Sequence, residues 1–306
     1  MKKPLSLLLT IALTIFFAGC KHTAKLNISS DSPYNFESYE NKSGISDIEP
    51  IALNGDLSEK CVTYKFTYTS DIYSVKAYIS IPIGCIESLN PYECIIYNRG
   101  GNSKIGLLDD EDTAVISAET DRIVLASQYR GADGGTGQDQ FGGDDLTDVT
   151  TLIDLCENCF EFASIDKLCV AGVSRGGIMT YMTARTDSRV KRIIAVSAVS
   201  DLLKAYNDRD DMKTVLQNYI GGSPDDLPYE YENRSAVYWA DEIKVPVLMI
   251  HSKLDKQVSF AQAEELNKKF EEYNVSCKFV SYDDDVHGFH KEDYKIISEW
   301  LNDFST

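Results

Sequence analysis

The stretch Leu168-Cys169-Val170-Ala171-Gly172-Val173-Ser174-Arg175-Gly176-Gly177 decides the fold class. It places the pattern Gly-x-Ser-x-Gly between a short apolar run typical of a buried strand and an amphipathic segment typical of a helix. The turn between the two is too tight for bulky neighbours, and Gly172 and Gly176 supply the missing side chains. The pattern therefore predicts a strand–turn–helix unit that presents the hydroxyl of Ser174 as a nucleophile.

Strand-like and helix-like segments alternate around this unit. Two alternating segments, 62–69 and 73–81, are separated by a polar turn and predict an antiparallel hairpin. Short runs rich in Val and Ile predict buried strands at 94–97, 123–126, 168–172, 193–196, 245–251 and 278–282. Helix-like segments lie between them or follow them, at 145–162, 176–186, 260–273 and 294–304. This order predicts an α/β-hydrolase fold, with a mostly parallel twisted sheet, helices on both faces and an N-terminal antiparallel hairpin.

A serine hydroxyl is a weak nucleophile until a base takes its proton, and four histidines are available. His287 lies in a loop after the final predicted strand, where this fold carries its base. A glycine follows it and lets the backbone turn. His287 is preferred to His290, three residues later. His251 ends a strand and is expected to pack or to support the site.

Asp255 is the predicted third member of the triad, the group that orients the imidazole and stabilises its charged form. It follows the strand predicted at 245–251. The chain order Ser174, Asp255, His287 is the order typical of this fold. The carboxylates at 283–285 adjoin the histidine and are expected to form a solvated acidic turn instead.

The first twenty residues predict a targeting segment. Two lysines precede an apolar stretch at 5–18, which has the length of a signal-peptide core and is short for a membrane span. It ends in Phe17-Ala18-Gly19-Cys20, which resembles the lipobox of bacterial lipoproteins except that Phe17 replaces the usual Leu. We therefore expect a signal peptide at 1–19, a lipid on Cys20 and a lipoprotein held at a membrane of the bacterial cell envelope. The alternative is a plain secretory signal in which Cys20 is incidental.

The remaining chain divides into a polar tether expected at 20–60 and a hydrolase domain expected at 61–306. The segment 200–241 interrupts the strand–helix alternation and is rich in aromatic residues. It is either a small helical cap over the active site, inserted in the domain, or an ordinary surface excursion. Seven cysteines follow Cys20, an odd number that leaves at least one thiol free, and Cys85 with Cys94 is the most plausible disulfide.

Charge and motifs exclude several other functions. The net charge of −18 argues against a nucleic-acid partner, because such binding requires basic residues that neutralise phosphates. The glycine-rich run at 131–137 lacks the Lys-Ser/Thr of a phosphate loop and is interpreted as a substrate-side loop near the serine. Cys156 and Cys159 have the spacing of half a zinc site, but no second Cys or His pair has zinc spacing. No cofactor or metal ion is expected.

From about residue 73 to residue 300 the chain resembles the catalytic domain of the prolyl oligopeptidase family of serine peptidases. One block, Tyr129-Arg130-Gly131, is similar to a Tyr-Arg-Gly loop of that family. Another, 141–149, is similar to its Gly-Gly-x-Asp-x-x-Asp-Val segment. The remaining blocks, in the family's order around these two, are 96–101, 172–177, 251–258 and 286–289.

The resemblance also implies how the transition state is stabilised. The oxyanion hole would use the backbone N–H of Arg175 and a second donor from residues 97–101. Candidates for that donor are the hydroxyl of Tyr97, the side chain of Asn98 or a backbone amide. Larger family members carry a β-propeller that filters substrates by size. We expect no such filter here, since only about forty polar residues separate Cys20 from the first predicted strand.

These residues predict acyl transfer to water through an acyl-enzyme on Ser174. The resemblance implies a serine-type peptidase that acts on short peptides. A carboxylesterase acting on small acyl esters is the alternative, because the same site cleaves esters more easily than amides. A lipid-anchored binding protein that has lost catalysis is an alternative of another class, against which the intact triad argues.

Overall fold

In a computed structural model that describes residues 34–88, 90–102 and 104–303, nine strands form one mixed sheet. The predicted signal peptide and Cys20 lie outside these residues. The strands, in chain order, are β1 Ile45–Ile51, β2 Cys61–Ser70, β3 Tyr73–Pro82, β4 Tyr92–Asn98, β5 Ile123–Ser127, β6 Ala163–Val173, β7 Arg192–Val196, β8 Val247–Ser252 and β9 Cys277–Tyr282.

Ten α-helices connect or cover these strands within the described ranges. They are α1 Asp56–Lys60, α2 Ile83–Glu87, α3 Asp112–Thr120, α4 Leu146–Asn158, α5 Gly176–Thr186, α6 Leu202–Asp208, α7 Asp210–Ile220, α8 Pro228–Asn233, α9 Phe260–Glu272 and α10 Asp293–Asn302. In this part of the chain, no helix is both long enough and apolar enough to cross a bilayer.

The strand order is β1-β2-β3-β5-β4-β6-β7-β8-β9. The first three strands are antiparallel to one another, and β3 is antiparallel to β5. From β5 to β9 all neighbours are parallel. This arrangement confirms the predicted α/β fold, its parallel sheet and its N-terminal hairpin, in which β2 and β3 pair from Cys61↔Pro82 to Ser70↔Tyr73. Helix α3 is an element that the sequence analysis does not predict.

Helices cover both faces of the sheet because the central strands bury side chains on both sides. On β4, Ile96 packs into the core that contains residues of α4, α5 and α9. Its neighbours Ile95 and Tyr97 pack into the opposite core, where Ile297 and Trp300 of α10 lie. The sheet is thus the middle layer of three, and its carboxyl edge is the surface between two layers of helices.

The prediction of a polar tether over 20–60 is wrong for its described part. Strand β1 pairs with β2, and Phe36, which is fully buried, packs against the rings of Tyr64 and Phe66 at 5.3 and 5.2 Å. The alternation of β1 is hidden in the sequence because its register shifts between Ser46 and Glu49, with Asp47 at a φ of 52°. A bulge of this kind on an edge strand breaks the period of two.

Two further predictions have outcomes here. The segment 200–241 is helical, since it contains α6, α7, α8 and two short 3₁₀ helices at Ala236–Tyr238 and Ala240–Glu242. Within the described residues all seven cysteines are free thiols, so the disulfide predicted between Cys85 and Cys94 is not formed.

Candidate active site

The turn between β6 and α5 holds Ser174 in a strained conformation. Its φ is 55°, in the left-handed region that residues other than glycine rarely adopt, and Ser174 is partly exposed. Close packing explains the neighbouring glycines. A Cβ at Gly172 would lie 2.3 Å from the backbone oxygen of Gly176, and a Cβ at Gly176 would lie 2.0 Å from that of Asn98. The elbow is therefore possible only with these two residues.

The loops that carry the predicted base and acid emerge at the same edge as Ser174. In the parallel ladder, Val173 pairs with Val196, and Val196 pairs with Ile250. One strand further, His251 pairs with Ser281. Because the carboxyl ends of parallel strands share one edge, the segments after β6, β8 and β9 meet there.

His287 and Asp255 are in direct contact. The distance from Nδ1 of His287 to Oδ2 of Asp255 is 2.8 Å, and the carboxylate side chain is fully buried while the imidazole is 15% exposed. An ionised carboxylate only accepts hydrogen bonds, so Nδ1 carries the proton. The other ring nitrogen, Nε2, is then free of a proton and can act as a base.

Three further groups contact the Asp255 carboxylate. Its Oδ1 accepts hydrogen bonds from the backbone amides of Gln257 and Val258, at 2.8 and 3.1 Å. Nε2 of His251 donates to the carbonyl of Val258 and lies 3.4 Å from Oδ2. Burial acts to raise the pKa of Asp255, but the hydrogen bonds from His251, His287 and the two amides lower it well below its ordinary value. His251 therefore supports the acid, as expected from its position.

The loop of His287 is tied to the strand beside Ser174. The amide of Gly288 donates to Oγ of Ser197 at 3.1 Å. The residue before Ser197 is Val196, whose carbonyl accepts a hydrogen bond from the amide of Ser174 at 3.0 Å. Base and nucleophile are thus held to adjacent residues of one strand end.

The acidic turn at 283–285 has other partners. Asp284 accepts a hydrogen bond from Nε2 of His290 at 3.0 Å. The carboxylates on either side of it lie 2.6 and 3.4 Å from the ammonium groups of Lys253 and Lys256. This arrangement separates the contacts of His290 from those of His287.

The structure directs the two proposed side-chain oxyanion donors elsewhere. Nδ2 of Asn98 donates to Oγ1 of Thr180 on α5, and Asn98 is buried. The ring of Tyr97 lies in the core on the opposite face, 6.2 Å from that of Phe289. Successive residues of a strand point to opposite faces, so neither side chain extends from the strand's end. The backbone of Gly100, in contrast, continues beyond the end of the strand towards Ser174, since a Cβ on Gly100 would lie 3.2 Å from the Cβ of Ser174.

The side chain of Arg175 turns away from solvent into a buried acidic pair. Its guanidinium nitrogens donate to both oxygens of Asp139 at 2.6 Å and to Asp145 at 3.2 Å. Asp145 also accepts from the amides of Gly142 and Gly143, at 3.1 and 2.7 Å. Burial raises the pKa of Asp145 to about 7, against the lowering effect of the Arg175 guanidinium.

These acidic partners were not found by sequence reasoning. Asp145 lies inside the block at 141–149 that carries the family resemblance, and this is the available signal for it. The second acidic residue of that block, Asp148, accepts hydrogen bonds from Nε and Nη2 of Arg130 at 3.0 and 2.7 Å. The two resembling blocks at 129–131 and 141–149 are therefore joined by a buried ion pair.

A cleft of about 240 Å³ opens between the glycine-rich loop and α7. Gly131, Gly137 and Asp139 line one side, and Asn218 and Tyr219 of α7 line the other. The ring of Tyr219 lies 5.8 Å from that of Phe141. Because Asp139 also binds Arg175, the cleft adjoins the residue that follows the nucleophile.

Comparison with known proteins gives one family. The model of the prolyl oligopeptidase family matches residues 110–304. The uncharacterized peptidase YtmA of Bacillus subtilis (strain 168) is 28% identical over 243 residues, which cover 78% of this chain and 92% of that protein. Dipeptidyl-peptidase 5 of Porphyromonas gingivalis is 23% identical over 286 residues, which cover 86% of this chain and 40% of that protein.

Solved structures show the same fold. An acylaminoacyl peptidase in complex with Z-Gly-Gly-Phe-chloromethyl ketone matches with a TM-score of 0.68 and 18% identity, over 80% of this chain and 42% of that one. Acetyl xylan esterase 1 from Thermoanaerobacterium sp. matches with a TM-score of 0.63 and 15% identity, over 88% of this chain and 90% of that one. The likeness to both peptidase and esterase concerns the fold alone.

Proposed function

The chain belongs to the prolyl oligopeptidase family and is a serine-type peptidase; from this premise we propose that Ser174, His287 and Asp255 form its catalytic triad. The observation that carries the proposal is the 2.8 Å contact between His287 and the buried Asp255, placed at the sheet edge where Ser174 takes its left-handed turn. The three groups then have the roles of nucleophile, base and orienting acid.

In the first half of the reaction, Nε2 of His287 takes the proton of the Ser174 hydroxyl while Oγ forms a bond to the scissile carbonyl carbon. The ionised Asp255 keeps Nδ1 protonated and stabilises the imidazolium. When the tetrahedral intermediate collapses, the C–N bond breaks and the imidazolium gives its proton to the leaving amine. Water then attacks the acyl-enzyme by the same route and restores the serine.

The oxyanion that forms on the carbonyl needs two donors. The amide of Arg175 is the first candidate, since Arg175 directly precedes α5 and the start of a helix is electropositive. The second is a backbone amide of the Gly100-Gly101 segment, because Gly100 contacts Ser174. Loss of one such donor typically costs about 3 kcal/mol in the transition state.

We propose short peptides as substrates. The cleft beside Arg175 has a volume of about 240 Å³, somewhat below the range of about 300–1,000 Å³ typical of drug-sized ligand sites. It is walled by α7, which belongs to the helical segment 200–241, and we propose that this segment caps the site on one side. A space of this size accommodates one or two residues of a peptide rather than a folded protein segment.

The test compares matched substrates that share an acyl group and differ in an amide or ester leaving group. The wild type should hydrolyse both, and Ser174→Ala should lose both activities by at least 10³-fold. Ester hydrolysis without measurable amide hydrolysis would contradict short peptides as substrates and favour the carboxylesterase alternative. Absence of both activities in the folded wild type would favour a binding protein that has lost catalysis.

We also propose that Cys20 is acylated and anchors the enzyme to a membrane of the cell envelope. Acyl chains contribute about 0.8 kcal/mol of membrane affinity per buried CH₂, and two or more chains give stable attachment. When the full chain is expressed in a bacterial host with labelled palmitate, the wild type should carry the label and Cys20→Ser should not. Equal labelling of the two, or no label on the wild type, would contradict the anchor without affecting the triad.

A further inference from the structure

Arg99 is among the largest fully buried side chains in the described residues, with 1% exposure. Its guanidinium donates to backbone carbonyls. Nε and Nη2 donate to the carbonyl of Gln128 at 3.1 and 2.8 Å, while Nη1 donates to those of Gly100 and Gly106 at 2.9 and 3.1 Å. Burial and the charge of Arg175 lower the pKa of Arg99. Burying a charged group costs free energy unless it is hydrogen-bonded, so a buried arginine at this position suggests a structural or functional role.

Two of the three carbonyls that Arg99 holds, those of Gly100 and Gly106, belong to a tight turn, here called the glycine turn, formed by Gly100, Gly101, Ile105 and Gly106. A Cβ at Gly101 would lie 2.1 Å from the carbonyl oxygen of Ile105, and one at Gly106 would lie 2.9 Å from that of Gly100. The turn therefore has no room for side chains at its glycines. It begins directly at the contact with Ser174.

A second arginine holds the same turn. Nη1 of Arg175 lies 3.4 Å from the carbonyl oxygen of Gly101. Both guanidinium groups lie over the ring of Tyr129, with Arg99 at 5.0 Å and Arg175 at 4.5 Å from its centroid. The hydroxyl of Tyr129 donates to the carbonyl of Arg99 at 3.2 Å. The glycine turn and the elbow thus share one buried scaffold.

This arrangement fixes the direction of a peptide group. In a trans peptide the C=O and the following N–H point in opposite directions. Because the carbonyl of Gly100 is directed at the Arg99 guanidinium, the N–H of Gly101 points away from it. We propose that Arg99 is a positioning residue for the oxyanion hole, which holds the Gly100–Gly101 peptide so that its N–H serves as the second donor. The inference rests on the proposed function of Ser174.

The experiment compares Arg99→Lys and Arg99→Met with a matched control, Arg192→Lys. Arg192 is also buried, donates to the carbonyls of Trp300 and Asp303, and lies 5.4 Å from the ring centroid of Trp300. It is the first residue of β7, at the edge of the sheet opposite the site. Loss of Arg192 therefore tests the effect of a lost buried arginine without touching the glycine turn.

The readout is kcat and KM per active site, with sites counted by saturating labelling with a fluorophosphonate and rates measured well below each variant's Tm. We expect kcat to fall about 10-fold in Arg99→Lys and about 100-fold in Arg99→Met, with KM within about 3-fold, as for a misplaced donor. Arg192→Lys should keep kcat within about 2-fold although its Tm falls. Tyr129→Phe, which retains the ring and loses one hydrogen bond, provides a milder variant with a smaller expected fall in kcat if the arginine variants do not fold.

A kcat within 2-fold of the wild type in every variant of Arg99 and Tyr129 that folds would overturn the inference, as would an equal fall in Arg192→Lys. If the wild type labels at Ser174 and turns over substrate while these variants match it, only the positioning role fails. If the wild type neither labels nor turns over substrate, the proposed function itself fails.

Discussion

Replacing Asp255 by Asn is expected to change the tautomer of the catalytic imidazole rather than merely remove a charge. Oδ1 of Asp255 accepts two backbone amides, from Gln257 and Val258. In the variant only the amide oxygen can occupy that position, because the NH₂ group cannot accept hydrogen bonds. The NH₂ is then placed where Oδ2 lies, 2.8 Å from Nδ1 of His287. It donates to Nδ1, which forces the proton of the neutral ring onto Nε2.

The size of the effect follows from that tautomer. With a proton on Nε2, His287 cannot take the proton of Ser174, so the base is absent in the ground state. Asp-to-Asn replacement in a triad of this geometry lowers kcat by about 10⁴. At 1.36 kcal/mol per tenfold change, this loss corresponds to about 5.4 kcal/mol of transition-state stabilisation.

The assay measures kcat on a peptide amide substrate at neutral pH, with circular dichroism as a check on folding. Asp284→Asn is a matched control, since Asp284 also accepts a hydrogen bond from a histidine, Nε2 of His290 at 3.0 Å, in the same region. We expect it to keep kcat within about 3-fold. A fall of less than 10-fold in Asp255→Asn, or an equal fall in both variants, would refute the reasoning.

Three further results are expected. Gly176→Ala should destabilise the fold by about 3 kcal/mol, because its Cβ would lie 2.0 Å from a backbone oxygen. Gly134→Ala, whose Cβ would have no atom within 4 Å, should cost about 1–2 kcal/mol for its positive φ. Equal losses of unfolding free energy in urea denaturation would count against the packing argument. Phe36→Ala should cost about 3–5 kcal/mol, since the ring is fully buried, and a change below 1 kcal/mol would mean that the residues before β1 do not belong to the folded domain. Since the folded pKa of Asp255 is lowered, its carboxylate should stabilise the fold fully above its unfolded pKa of about 3.9 and progressively less as the pH falls below that value. The difference in unfolding free energy between wild type and Asp255→Asn should therefore shrink from pH 6 to pH 3. A constant difference would argue against this contribution of Asp255.

The sequence predicted those parts of the fold that repeat a simple pattern. Buried parallel strands are short runs of branched apolar residues, and the elbow has a glycine signature, so the central sheet and α5 were predicted within a few residues. Strand β1 was missed because the bulge at Asp47 interrupts its alternation and Pro50 lies within it. Proline is tolerated on an edge strand, but in the sequence alone it argues against a strand at that position.

The candidate site was predictable to the extent that it depends on strand order. Loops that follow neighbouring parallel strands must meet at one edge, which is why the segments of Ser174, Asp255 and His287 could be assigned to one place. The surroundings depend on contacts between distant segments. Arg175 binds Asp139 from a separate loop, and Arg99 binds a turn closed by Gly106. No local pattern records such contacts, and the candidates Tyr97 and Asn98 came instead from the resemblance to the prolyl oligopeptidase family.

The central claim is that Oγ of Ser174 is the nucleophile, and the most direct measurement identifies the residue that reacts with a covalent inhibitor. The folded wild type is treated with a fluorophosphonate, digested and analysed by mass spectrometry beside Ser174→Ala. A single phosphonylated peptide carrying the adduct on Ser174, absent from the variant, is the predicted result. An adduct on another residue, or labelling that persists in Ser174→Ala, would contradict the account.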